Sequence, residues 1–131
     1  MSRLARQIRE CMSDLGQADD GNLTARFVFP AEFLGFQGHF PAHPVLPAVC
    51  EIQAALAMLE AWEKRRVDLR EITLAKFSAP VTCDEELRYA CSVTSKDRHG
   101  AVVKATVSKD GGAVARFRLR VVFHGETERH R

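Results

Sequence analysis

The sequence predicts an α+β domain: one antiparallel sheet of about five strands wrapped around a single long apolar helix, preceded by a short N-terminal helix. Three observations lead there. First, one segment after Pro47 is apolar and alanine-rich over about eighteen residues, long enough for a buried helix. Second, everything after it alternates apolar and polar residues in runs separated by short turns, as antiparallel strands do. Third, 131 residues suffice for one domain with one core, and one sheet closed on one helix buries both apolar faces most simply.

The elements follow in order. Leu4, Ile8, Met12 and Leu15 fall at helical spacing and predict an amphipathic helix over 3–15. Gln17 to Asn22 is a polar turn. Leu23, Ala25, Phe27 and Phe29 alternate and predict a strand. Residues 30–46 form a loop in which Pro41 and Pro44 forbid a regular helix. The long helix runs from Pro47, favoured at a first helical position, to about Arg65, with Val49, Ile52, Leu56 and Leu59 as its stripe. Strands are then expected at Ile72–Phe77, Glu86–Thr94, Ala101–Val107 and Ala113–Phe123, with turns at 96–100 and at Asp110-Gly111-Gly112. Residues 1–131 thus read as one domain with its core over about 23–123, free of repeats and linkers.

Composition narrows function. A formal net charge of +2 is too small for bulk nucleic-acid binding, and no apolar run approaches the length that spans a bilayer. Charged residues from Arg3 to Asp14 leave no room for a secretory signal, so the expected compartment is the cytoplasm. Cys11, Cys50, Cys83 and Cys91 form no C-x-x-C pair and read as reduced thiols. His39 and His43 are four apart, but the prolines between and after them break the helical geometry a metal would need. No metal and no cofactor is expected.

The chemistry concentrates between Phe36 and Val49, in FQGHFPAHPVLPAV. Prolines at 41, 44 and 47 stiffen a loop that delivers His39 to the start of the buried helix. There the N–H groups of Ala48 and Val49 have no acceptor within the helix, and the positive end of its dipole lies behind them. Such a site suits a developing oxyanion, and imidazole is poised to act as a base near neutral pH.

This run resembles the G-H-F-P-x-x-P-x-x-P-G-V signature of the hot-dog (3R)-hydroxyacyl-acyl-carrier-protein dehydratases of bacterial fatty-acid synthesis. It matches at Gly38, His39, Phe40, Pro41, Pro44, Pro47 and Val49, and Lys76-Phe77, Pro80-Val81 and Leu87 look like the strand that follows. The resemblance implies a hot-dog fold, a (3R)-3-hydroxyacyl thioester substrate on acyl carrier protein or CoA, and dehydration to the trans-2-enoyl thioester. It implies that His39 is the base, held through its other ring nitrogen by the Val45 carbonyl, and that the Ala48 N–H binds the thioester oxygen. Gly38 and Phe40 complete the substrate-binding loop. Ala48 replaces the family's usual glycine and keeps the donor.

One position departs. The family's second catalytic residue is a Glu or Asp six positions beyond the third proline, and here that residue is Gln53. An amide hydrogen-bonds but does not donate a proton as a carboxylic acid does. Glu51 turns about 200° away on the helix and Glu60 lies about 10 Å further along it. Three readings stay open: a dehydratase with a weakened acid, a non-catalytic acyl-binding subunit paired with an active homologue, and a thioesterase, which would need a carboxylate.

The resemblance also implies two subunits sharing each site, hence a homodimer or higher oligomer with the long helices side by side. Phe33, Phe36 and Phe40 would line part of an apolar tunnel or simply fill the core. Arg116, Arg118 and Arg120 alternate on the outward face of the last strand, either as a solvated face or as a landing patch for an acidic carrier protein.

Overall fold

The structure is a computed structural model that describes residues 2–37 and 44–125. It consists of helix α1 (Arg3–Glu10), strands β1 (Met12–Gln17) and β2 (Leu23–Val28), a single 3-10 turn (Leu34–Phe36), helix α2 (Ala48–Glu63), and strands β3 (Val67–Phe77), β4 (Glu86–Lys96), β5 (Gly100–Lys109) and β6 (Gly112–Phe123). The strands form one antiparallel sheet in the order β1-β2-β4-β5-β6-β3. The sheet wraps α2, as the resemblance implied.

Alternation sets the inner face. Leu23, Ala25 and Phe27 of β2, Leu87, Tyr89 and Cys91 of β4, Val103, Ala105 and Val107 of β5, and Ala115, Phe117, Leu119 and Val121 of β6 are all buried. They meet Cys50, Glu51, Ile52, Ala54, Ala55, Met58 and Leu59 of α2. The small residues of α2 let it sit deep in the curve, so its helical stability comes from packing on nearly all sides.

Several boundaries differ from expectation. The N-terminal helix stops at Glu10 rather than continuing to 15, and residues 12–17 form a sixth strand at the edge beside β2. Met12 and Leu15 also fit an i, i+3 pattern, which hid the strand. A register shift between Ser13 and Gly16, with Asp14 in the left-handed region at φ 56°, breaks its alternation. Helix α2 begins at Ala48, with Pro47 as its cap in extended backbone, and ends at Glu63, where Lys64 turns left-handed and its N–H bonds Glu60. Strand β3 starts five residues earlier than expected; bulges at 69/71 and 72/74 interrupt its period of two. All four cysteines are free, and Cys50 and Cys91 are buried in the core.

Candidate active site at the start of the buried helix

Pro44, Val45 and Leu46 lead into α2 along the turn between β3 and β4. The Leu46 N–H donates to the Val81 carbonyl at 2.7 Å, and the Thr82 hydroxyl donates to the Pro44 carbonyl at 2.7 Å. Together these bonds fix the entry angle of the chain while Pro47 sets the first turn. The first N–H groups bonded back to Pro47 are those of Cys50 at 2.9 Å and Glu51 at 3.3 Å. Those of Ala48 and Val49 have no acceptor among the described residues. Both residues are exposed, Val49 to 57%, so the donors open outward where a ligand can reach them. Val45 is half-buried beside them. Gly38, His39 and Phe40 lie outside the described residues.

Gln53 lies about 6 Å along the axis from Val49 and about 40° around it, so the two share a face. It is half-buried against α1, and its Oε1 is buried with no hydrogen-bond partner. A free amide facing a cleft is the arrangement expected of a side chain that completes its bonds with a ligand.

Glu51 occupies the opposite face, only 3% exposed, with its Oε1 unpartnered in the core. Burial pushes its carboxyl up to about 7, partly offset by the Lys109 ammonium. The same environment raises the neighbouring Cys50 thiol and drives the Tyr89 phenol well above its ordinary value. Glu60 is engaged elsewhere, accepting from the Val67 N–H at 2.9 Å, and so fixes the turn from α2 into β3. Neither carboxylate stands where Gln53 does.

Phe33 and Phe36 are core residues. Phe33 packs at 4.8 Å from Phe29 and edge-on to Phe36 at 5.8 Å, both deeply buried. Phe40 lies outside the described residues. Among the described residues no group of histidine, cysteine or carboxylate side chains is placed to hold a metal ion.

The burial of Glu51 follows from its place on the helix, turned away from Gln53 toward the core, and that turn is the one signal of it in the sequence. The cleft between α1 and α2 beside Gln53 is formed by contacts between distant segments, which no local pattern in the sequence signals.

Residues 16–117 match the family model described as ApeI-like, ApeI dehydratase. The chain belongs to that family. Similar curated proteins are 3-hydroxyacyl-[acyl-carrier-protein] dehydratases FabZ. That of Clostridium botulinum (strain Loch Maree / Type A3) is 33% identical over 108 residues, covering 77% of this chain and 71% of the relative. That of Syntrophotalea carbinolica is 32% identical over 96 residues, covering 67% and 65%. The chain therefore spans slightly under two thirds of the length of the latter, and 37% of a further FabZ from Gluconobacter oxydans. Among solved structures, the dehydratase heterocomplex ApeI:P from Xenorhabdus doucetiae superposes with a TM-score of 0.69 at 16% identity, covering 85% of this chain and 96% of that one. A thioesterase-like protein, yhdA from Lactococcus lactis, reaches 0.69 at 8% identity, covering 95% and 100%. These two likenesses establish the hot-dog fold.

Among the described residues no helix is long and apolar enough to cross a membrane.

Proposed function

We propose that this ApeI-like chain dehydrates a (3R)-3-hydroxyacyl thioester, carried on acyl carrier protein or CoA, to the trans-2-enoyl thioester. The observation that carries the reading is the shared face of α2: open N–H donors at Ala48 and Val49, with the unpartnered amide of Gln53 just beyond them. A thioester oxygen held at the helix N-terminus places the 3-hydroxyl toward Gln53. His39 takes the proton from the carbon next to the thioester, and the Ala48 N–H steadies the negative charge that moves onto the oxygen. The C–O bond to the hydroxyl then breaks. Gln53 holds that hydroxyl by a hydrogen bond, and the proton taken by His39 is relayed to it through a water, so that it leaves as water and the imidazole is restored. Gln53 replaces an acid, so the rate is reduced rather than the geometry lost.

The amide at 53 also favours a second reading, a non-catalytic subunit whose site is completed by an active homologue. The relative in the Xenorhabdus heterocomplex supports assembly with an unlike partner. A thioesterase finds less support, since neither Glu51 nor Glu60 is free to activate water on the face of Gln53.

An edge-to-edge homodimer suits either reading. Strand β3 is a sheet edge with one side unpaired among the described residues, and its Ile72 and Phe77, which share the inner face with Leu119 and Ala115 of β6, are 45% and 40% exposed.

The deciding experiment follows the conjugated absorbance of the enoyl product. Wild type turns over slowly, Gln53→Glu runs about 10²-fold faster or more, and His39→Ala abolishes turnover in both backgrounds. No turnover in wild type or Gln53→Glu, with acyl carrier protein still bound, decides for the non-catalytic subunit.

A further inference from the structure

A cleft runs between α1 and α2 on the same face as Gln53. Its inner part, about 130 Å³, is walled by Ile8 of α1, Leu56 and Ala57 of α2 and Val67 at the start of β3, with Gln53 at one end and Arg9 and Glu60 at the other. It continues past Ala5 and Glu60 into an open mouth of about 470 Å³ that is lined by Arg9, Lys64, Arg65 and Arg66. The inner walls are mostly apolar and the mouth is mostly cationic. Glu60 is the single carboxylate lining it among the described residues, and that group is already bonded to the Val67 N–H. Arg65 packs over Phe123 and faces Glu63, and Arg66 faces Asp68 at 3.6 Å. Arg9 and Lys64 have no ion pair among the described residues.

We infer that this cleft binds a medium-length alkyl chain ending in a carboxylate, its methylenes between α1 and α2 and its anion against Arg9 and Lys64. Two independent features point to such a ligand. The unpartnered Oε1 of Gln53 marks one end of the cleft as a polar contact point left incomplete by the protein. Lys64, about 16 Å away along α2 from residue 53, and Arg9, which lines both the inner part and the mouth, are complementary to an anion. An apolar passage between two polar ends selects a chain with a charged terminus over a plain one, because a methyl end would strip water from Arg9 and Lys64 without replacing it.

Combined with the proposed dehydration, on which this extension rests, the cleft names the substrate class. The thioester sits at the N-terminus of α2, the 3-hydroxyl faces Gln53, and the rest of the chain follows α2 to end in an anion at the cationic mouth. The preferred acyl group is then an ω-carboxylated one.

Octanoate tests the cleft directly, in titrations of the full chain by calorimetry at low salt. Octanoate binds saturably, octanol binds at least 10-fold more weakly, and both Arg9→Glu and the cavity-filling Ala5→Phe weaken octanoate at least 10-fold. Arg9→Glu changes a partly exposed side chain, so it reports on the anion even where Ala5→Phe disturbs the helix packing. Equal binding of octanoate and octanol, no saturable binding, or indifference to Arg9→Glu overturns the inference. Turnover of a 3-hydroxyacyl thioester is measured separately. Turnover without octanoate binding removes the cleft and leaves the dehydratase; octanoate binding without turnover removes the dehydratase and leaves the cleft as an anion-chain site.

Discussion

The Tyr89 hydroxyl donates to the backbone carbonyl of Glu51 at 2.8 Å, tying the middle of β4 to the first turn of α2. Both partners are buried, and Tyr89 also packs at 4.9 Å from Phe27 of β2. One side chain thus joins the sheet to the helix end that presents the Ala48 and Val49 donors. Tyr89→Phe keeps the ring packing and removes this bond. The expected cost is about 1 kcal/mol in chemical denaturation, with the midpoint shifted and the slope unchanged. If the bond also orients the helix end, the thioester KM rises while octanoate affinity in the α1–α2 cleft stays the same.

Glu51 makes stability depend on pH. Its carboxyl is held near 7 by burial, against 4.5 ordinarily, so the folded state keeps a proton that the unfolded chain releases. The contribution is fully present below about pH 4.5, falls as pH rises between about 4.5 and 7, and is gone above that. Tyr89 and Cys50 face the same region, and both titrate above this window. The folded protein loses about 2 to 3 kcal/mol across the window through this group. Glu51→Gln flattens that part of the curve, which thermal unfolding at pH 5 and pH 8 measures as a smaller difference between the two. An unchanged difference would place the pH dependence elsewhere.

The outer sheet face carries like charges in register. Lys104 of β5 lies opposite Arg118 of β6, and Lys76 of β3 lies opposite Arg116, all exposed, whereas Arg120 is paired with Glu71 at 3.2 Å. Directly opposed cations cost stability, so the row fits a surface kept for an acidic partner. Arg118→Glu places an acid opposite Lys104 and stabilises the fold by a few tenths of a kcal/mol. The same change weakens binding of an acidic carrier protein and lowers its salt dependence. A loss of binding in a protein that melts no lower cannot be blamed on unfolding, and unchanged binding would leave these arginines as an ordinary solvated face.

The parts of the fold that were legible in the sequence are those where one periodicity ruled. Residues 101–107 and 113–123 alternate over most of their length and fall inside β5 and β6, and the apolar run after Pro47 became α2. Legibility failed where two patterns overlapped or one was broken. Met12 and Leu15 extend the spacing of Leu4 and Ile8, yet the chain leaves the helix at Cys11 and pairs with β2, where Arg26 bonds Asp14 at 2.8 Å. Two bulges within one strand hid the first half of β3. At the site, the motif located the helix start and Gln53, because prolines and helical spacing are local. The burial of Glu51 against Tyr89 and the cleft between α1 and α2 depend on contacts between distant segments, which no short pattern encodes.

The edge of β3 yields the last prediction. Ile72 and Phe77 project from a strand with one unpaired side, and Phe77 stacks on Phe117 at 6.3 Å at the border of the core. An exposed apolar edge of this length is costly in water and pairs readily with a second copy. Two-fold pairing of β3 with β3 would continue the sheet and cover both residues, as isologous contacts do. Ile72→Lys then turns a dimer into a monomer at micromolar concentration, read by light scattering, while far-UV circular dichroism stays that of the folded chain. Wild type that scatters as a monomer at the same concentration rules out the pairing. If the site needs a second subunit, Ile72→Lys also loses turnover and keeps octanoate binding, since both walls of the α1–α2 cleft belong to one chain.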